Sequence, residues 1–256
     1  MTDRVSQCFK KTNKLLSVFF VAGFPNCDDT PRIIEYLQEA GADLIEIGIP
    51  FSDPLADGPD IEQAASAALK NGMSLKLLFK QLEGIRAHVS IPLFLMGYIN
   101  PIVQFGVENF CRHSKECGID GVIIPDLPPE YFRDNYSDIF TDYNLKLPLL
   151  VTPLTELKRI LEIDSLASGF LYAVTTPGVT GRKIGDQAAT EYLKKLASLN
   201  LKNPLLAGFG VHDSSTFFSL SEYTRGCIIG SAYIRALRES NNLKATTLDF
   251  VSKIRG

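Results

Sequence analysis

The sequence predicts an α/β protein built as a closed (β/α)8 TIM barrel, a single domain over residues 1–256 with an extra N-terminal helix. Three observations carry that expectation. Short apolar runs alternate with amphipathic segments eight times in 256 residues, the tally for one such barrel. The runs are continuously apolar, as parallel strands covered on both faces must be. Each run ends in a turn-rich or glycine-rich loop, at the strand end where these barrels assemble their sites. An open doubly wound sheet is the competing arrangement.

Taken in order, residues 3 to 14 form the opening helix and Leu16 to Ala22 the first strand, which ends in Gly23-Phe24-Pro25. Asp28, Asp29 and Thr30 then start a helix carrying Ile33, Ile34, Tyr36 and Leu37. Leu44 to Ile49 form strand two, followed by a helical region from 61 to 87 that breaks near Asn71-Gly72. Strand three is Pro92 to Met96, and Gly97-Tyr98-Ile99-Asn100-Pro101 is a loop before a helix through Phe110 and Cys111. Strand four, Gly121 to Ile124, closes in Pro125-Asp126-Leu127-Pro128-Pro129 before a helix with Tyr131 and Phe132. Strand five, Leu147 to Val151, leads through Thr152-Pro153 into a helix of Leu157, Ile160 and Leu161. Strand six is Gly169 to Val174, and residues 175 to 186 form a glycine-rich loop before a helix of Tyr192, Leu193 and Leu196. Strand seven, Pro204 to Ala207, gives way to Gly208-Phe209-Gly210, and strand eight, Gly226 to Ile229, to Gly230-Ser231. The last helices carry Ile234 and Leu237, then Phe250 and Ile254.

The chain is organised around residues 41 to 62, GADLIEIGIPFSDPLADGPDIE. With period two, Ile45, Ile47 and Ile49 point one way and Leu44, Glu46 and Gly48 the other, so Glu46 faces the barrel interior. A carboxylate there is costly unless it is paired, protonated or near water. A structural Glu bonded to backbone amides or a cation is the bland alternative to chemistry. Pro50 to Pro59 contains three prolines and is neither helix nor strand, so it forms a stiff loop that aims Asp53 and Asp57.

Composition narrows the function classes. A net charge of -3 leaves no electrostatic footprint for nucleic acid or an anionic membrane. No run reaches membrane-spanning length and MTDRVSQCFKKTNKLL lacks a signal-peptide core, which points to a cytoplasmic protein. Five cysteines without CxxC spacing read as free thiols, with Cys117 and Cys227 as core filler. His88, His113 and His212 lack partners at catalytic or metal-ligand spacing and read as solvated or capping residues. Asp126, facing the same mouth, either binds substrate or braces a loop.

The late glycines give a second signal. Val179-Thr180-Gly181, Gly208-Phe209-Gly210 and Gly230-Ser231 follow strands six, seven and eight, each just before a helix. Together they make an anion cradle, where glycine admits close backbone approach and helix N-termini favour a phosphate. The loop from Thr175 to Gly185 is a candidate lid.

The run from Leu44 to Pro59 (LIEIGIPFSDPLADGP) resembles the signature of the tryptophan synthase alpha subunit family. Supporting matches are Tyr98-Ile99-Asn100-Pro101, Gly121 to Pro128, Gly178 to Gly181, Gly208 to Val211 and Gly230-Ser231, so the resemblance runs from about residue 16 to the end. It implies a lyase that cleaves indole-3-glycerol phosphate to indole and glyceraldehyde 3-phosphate by a retro-aldol reaction, with no metal or organic cofactor of its own. A pyridoxal-phosphate-bearing beta subunit in an alpha2beta2 complex is the implied partner, taking indole through an internal tunnel. By resemblance Glu46 is the general acid/base, and Asp57 accepts the indole N–H. Phe19, Leu127, Tyr172 and Phe209 match positions lining the indole pocket, although core packing accounts equally for Phe19 and Leu127. Tyr98 belongs to the same mouth. Gly181, Gly210, Gly230 and Ser231 match the phosphate site, and Thr180 the contact between lid and Asp57 loop.

Two departures stand out. Gly23-Phe24-Pro25 replaces the family's usual Gly-Asp-Pro, and Asp60 and Glu62 replace neutral residues. The two acids either raise the pKa of Asp57 or cap the following helix, capping being the simpler account of Asp60. A non-catalytic subunit that only activates a partner, and another phosphate-binding barrel enzyme, are the alternative functions.

Overall fold

The apolar runs become eight parallel strands: β1 (Leu15–Val21), β2 (Leu44–Gly48), β3 (Leu93–Met96), β4 (Gly121–Ile123), β5 (Leu149–Val151), β6 (Leu171–Val174), β7 (Leu205–Gly208) and β8 (Gly226–Ile229). The structure is a computed structural model and describes residues 3–175 and 186–256. The strands neighbour one another in the order β4-β3-β2-β1-β8-β7-β6-β5. A parallel bridge between Gly121 and Lys146 joins the two ends and closes the barrel. This cyclic order excludes the doubly wound alternative, whose strand order reverses at a switch point.

Alternate side chains on each strand serve two cores. Leu16, Val18 and Phe20 of β1, with Ile45 and Ile47 of β2, pack outward against helix residues such as Ile33, Ile34 and Leu37. Leu15, Leu44, Phe94, Tyr172, Leu206 and Ile228 fill the barrel interior. Glu46 therefore projects inward, as its period predicted, and is fully buried.

The opening helix is shorter than the expected 3 to 14. It spans Arg4–Phe9, capped by Asp3, which accepts from the Val5 N–H. Beyond Phe9 the polar run Lys10 to Asn13 has no apolar face to bury, and Arg225 donates to the carbonyls of Phe9 and Lys11. Val5 and Cys8 lie in the interior cluster, so this helix covers the N-terminal end of the barrel, opposite the site.

Other boundaries moved for local reasons. The expected loop at 97 to 101 is a helix from Ile99 to Phe105, since Pro101 falls in the first turn, where no N–H is needed. Gly106, at φ +88°, separates it from helix Val107–Glu116. Strand β5 starts at Leu149 because the Leu147 N–H donates to Ser168 Oγ instead, at 2.8 Å. A Ser-rich helix, Ser214–Ser221, fills the gap between β7 and β8 that the sequence pattern left blank. Its signal was Asp213, whose carboxylate accepts from the Thr216 N–H as a cap. The helical break at Asn71-Gly72 falls as expected, between Pro59–Lys70 and Leu75–Leu82.

Four of the five cysteines are buried and Cys27 is half-buried, and all are free. The thiols of Cys117 and Cys227 donate to the carbonyls of Phe79 and Phe217 within the core. Among the described residues no helix is long and apolar enough to cross a membrane.

Candidate active site

Glu46 lies on β2 between Phe19 of β1 and Phe94 of β3 in register. Its Oε1 accepts a hydrogen bond from Ser17 Oγ at 2.8 Å. Its Oε2 is buried with no hydrogen-bond partner among the described residues. Burial pushes its pKa up to about 8, against a smaller opposing pull from Ser17. At neutral pH the group keeps a proton yet stands close to releasing it, as a proton carrier requires.

Immediately beyond β2 the proline-rich loop brings Asp57 back over the mouth. The loop has no ladder of its own, so its N–H groups need other acceptors. Tyr98, from the loop after β3, supplies one. Its hydroxyl accepts from the N–H of Leu55 at 3.1 Å and of Ala56 at 3.0 Å, and donates to Asp57 Oδ2 at 2.9 Å. Its ring packs against Phe51, with centroids 5.6 Å apart. Burial is the main cause that raises the pKa of Asp57; the Tyr98 hydrogen bond opposes it and the Glu62 charge adds to it.

Asp126 resolves as a brace. Its Oδ1 accepts from the Ile99 N–H at 2.9 Å, fixing the helix start just past Tyr98. Removing only the Tyr98 hydroxyl should therefore loosen the Asp57 loop without disturbing the barrel. Tyr98→Phe is expected to lower kcat/KM for the chain's reaction about tenfold and stability by about 1–2 kcal/mol. Steady-state kinetics and thermal melting check both.

Across the mouth, Tyr172 of β6 is buried in the interior cluster. Burial, then the charges of Glu46 and Asp57, push its phenol pKa well up, so it lies within electrostatic reach of both carboxylates. Its ring is seated over Gly208 of β7, where a Cβ would come within 2.3 Å of a ring carbon. Phe19 is seated in the same way over Gly48, with a Cβ-to-ring approach of 2.6 Å. Phe209, at φ +68°, meets the Tyr172 ring at 5.9 Å. Thr175 donates to the carbonyls of Gly208 and Phe209 and ties β6 to that turn. Leu127 is buried in the same cluster as Phe19.

Gly210 and Gly230-Ser231 lie on the same rim, Gly230 just preceding helix Ser231–Arg238 and lying against the Phe19 ring. Thr180, Gly181 and most of the candidate lid lie outside the described residues. His212 Nδ1 is 2.8 Å from the Gly210 carbonyl, and His113 Nδ1 is 2.7 Å from the Asn109 carbonyl, a supporting role for both.

A family model described as the tryptophan synthase alpha chain matches residues 5–254. The chain belongs to the tryptophan synthase alpha chain family. It is 49% identical over 253 residues to the tryptophan synthase alpha chain of Flavobacterium psychrophilum, covering 98% of this chain and 99% of that one. The crystal structure of the Legionella pneumophila alpha chain superposes with a TM-score of 0.88 at 29% identity, covering 100% of this chain and 97% of that one. A structure of the tryptophan synthase complex from Pyrococcus furiosus matches with a TM-score of 0.83 at 31% identity over 94% of this chain and 97% of that one.

Within this tryptophan synthase alpha chain scaffold the two departures take definite roles. Phe24 is buried in the helix-side core rather than leaving a gap where the family has a carboxylate. Asp60 lies in the first turn of its helix, where its charge suits the N-terminus; the N-cap position itself is Gly58, and the Asp60 carboxylate pairs with Arg235 at 2.7 Å and Arg238 at 3.0 Å. Those arginines lie on the helix that Ser231 begins, so the pair fastens the Asp57 side of the mouth to the glycine-rich side. Glu62 is the acid that acts on Asp57. Sequence reasoning missed Ser17, although a hydroxyl at an inward position of the apolar run LLSVFFV was a readable signal.

Proposed function

We propose that Glu46 and Asp57 are the acid–base pair with which this chain cleaves a carbon–carbon bond. The chain is a lyase of tryptophan biosynthesis, converting indole-3-glycerol phosphate to indole and glyceraldehyde 3-phosphate. The retro-aldol step needs one proton delivered to indole C3. It also needs one removed from the glycerol hydroxyl as the aldehyde forms, while the electrons of the broken bond return to the ring. Glu46, neutral near pH 7 and with one oxygen unbonded among the described residues, gives the first proton and takes the second. Asp57 accepts the indole N–H and stabilises the positive charge that develops on the ring.

Phe19, Leu127, Tyr172 and Phe209 wall the indole, and Tyr98 holds Asp57 in line. Gly210, Gly230 and Ser231, together with Gly181, bind the phosphate, the first three beside a helix start whose backbone N–H groups favour an anion, and Thr180 is the contact between the lid and the Asp57 loop. Residues 1–256 act as one barrel domain, supported by a family match that runs nearly from end to end. The partner is a tryptophan synthase beta subunit, a pyridoxal-phosphate enzyme, and we assign the assembly as alpha2beta2 in the cytoplasm. The Pyrococcus complex supports the partnership.

The observation that carries this reading is the fully buried Glu46 carboxyl, one oxygen of which has no partner among the described residues, in the barrel that Asp57 overhangs. Indole release from indole-3-glycerol phosphate by the purified chain, with and without a beta subunit, tests it. Turnover that rises with the partner is expected. Absence of indole under both conditions, with the partner's own activity still enhanced, would reduce the chain to an activating subunit.

A further inference from the structure

Ser17 occupies an inward position of β1 and is fully buried. Its surroundings in the barrel interior are apolar, among them Leu15, Leu44, Phe94, Leu206 and Ile228. A hydroxyl is unfavourable there unless it is bonded, and the bond it makes is to Glu46 Oε1 at 2.8 Å. Glu46 has no other hydrogen bond among the described residues, and the side chains of its register neighbours Phe19 and Phe94 carry no hydrogen-bonding group.

We infer that Ser17 is a positioning residue for the cleavage reaction: its hydroxyl pins one oxygen of Glu46 and leaves Oε2 as the oxygen that exchanges protons with substrate. The inference rests on the reading of Glu46 as the proton carrier. A glutamate side chain has three rotatable bonds, and a carboxyl without an anchor samples orientations in which neither oxygen faces the indole carbon. Because Ser17 donates to Oε1, the proton of the neutral carboxyl resides on Oε2. The anchor therefore sets which oxygen is the acid as well as where it points.

The titratable group that interacts with Glu46 among the described residues is Tyr172 of β6, which Asp57, bonded to Tyr98 on the loop side, also reaches. The inward residues of β1, β3 and β8 next to it (Leu15, Phe19, Phe94 and Ile228) carry no charge. Ser17 is thus the one neighbour that donates directly to the ionised form of Glu46.

The test is the pH–rate profile of indole release by the full chain with its beta subunit, for wild type, Ser17→Ala, Ser17→Thr and Glu46→Gln. Ser17→Ala is expected to lower kcat about tenfold with little change in KM. Loss of a donor to the carboxylate should also move the limb assigned to Glu46 upward by about one pH unit. Ser17→Thr, which keeps the hydroxyl, should restore both. Wild-type kcat with an unmoved limb in Ser17→Ala overturns the inference. So does lower stability with an unmoved limb, which marks a purely structural hydroxyl. Retained turnover in Glu46→Gln overturns the parent reading instead, so the two failures are distinct.

Discussion

Glu46→Gln is expected to cut indole release by about three orders of magnitude, because the amide neither donates nor accepts the proton that the retro-aldol step moves. Fold and phosphate binding should survive, since Gln keeps the shape of Glu and its carbonyl still accepts from Ser17. The same variant should change stability with a defined sign. The native pKa of Glu46 is about 8, above the ordinary value of 4.5 that the unfolded chain would show. Between those values the folded protein retains a proton that the unfolded chain releases, so wild-type stability falls as pH rises through that window. Glu46→Gln removes this loss. The two proteins should melt alike below the lower value, and above the upper one the variant should be the more stable by roughly a few kcal/mol. Thermal melting at several pH values reads the divergence, and turnover reads the loss. A variant that gains stability while losing activity is the mark of a buried group retained for chemistry.

Asp57→Asn is expected to lower kcat by roughly two to three orders of magnitude with a smaller change in KM. The amide oxygen still accepts from Tyr98, so the loop stays tied at Leu55 and Ala56. What is lost is negative charge beside the indole nitrogen, where positive charge develops only in the transition state. Because burial raises the pKa of Asp57, wild type should lose activity on the acid side through protonation of this group, and Asp57→Asn should lack that limb. An unchanged kcat in Asp57→Asn would discard the role. Comparison with Tyr98→Phe separates charge from position, since that variant keeps the carboxylate and releases the loop.

Much of this was legible in the chain itself. Continuous apolar runs can be satisfied only by strands covered on both faces, which gives the barrel. The period of two in LIEIG turns Glu46 inward whatever the rest does, and prolines at 50, 54 and 59 force a shaped loop after it. What only the tertiary structure decided were the relations between distant residues. Asp60 reads in sequence only as negative charge at a helix start, which it is, yet it also meets Arg235 and Arg238, 175 and 178 residues on, because closing the barrel brings the helices after β2 and β8 side by side. Asp126 reads in sequence equally as a substrate ligand or a loop brace, and the fold sets its Oδ1 on the Ile99 N–H. The proton affinity of Glu46 likewise depends on how completely the barrel excludes water and on one hydroxyl, from Ser17, a strand away. Local sequence fixes periodicity and turns, since those depend on near neighbours. Desolvation and pairing depend on which parts of the chain are folded against each other, and that is settled only when the barrel closes.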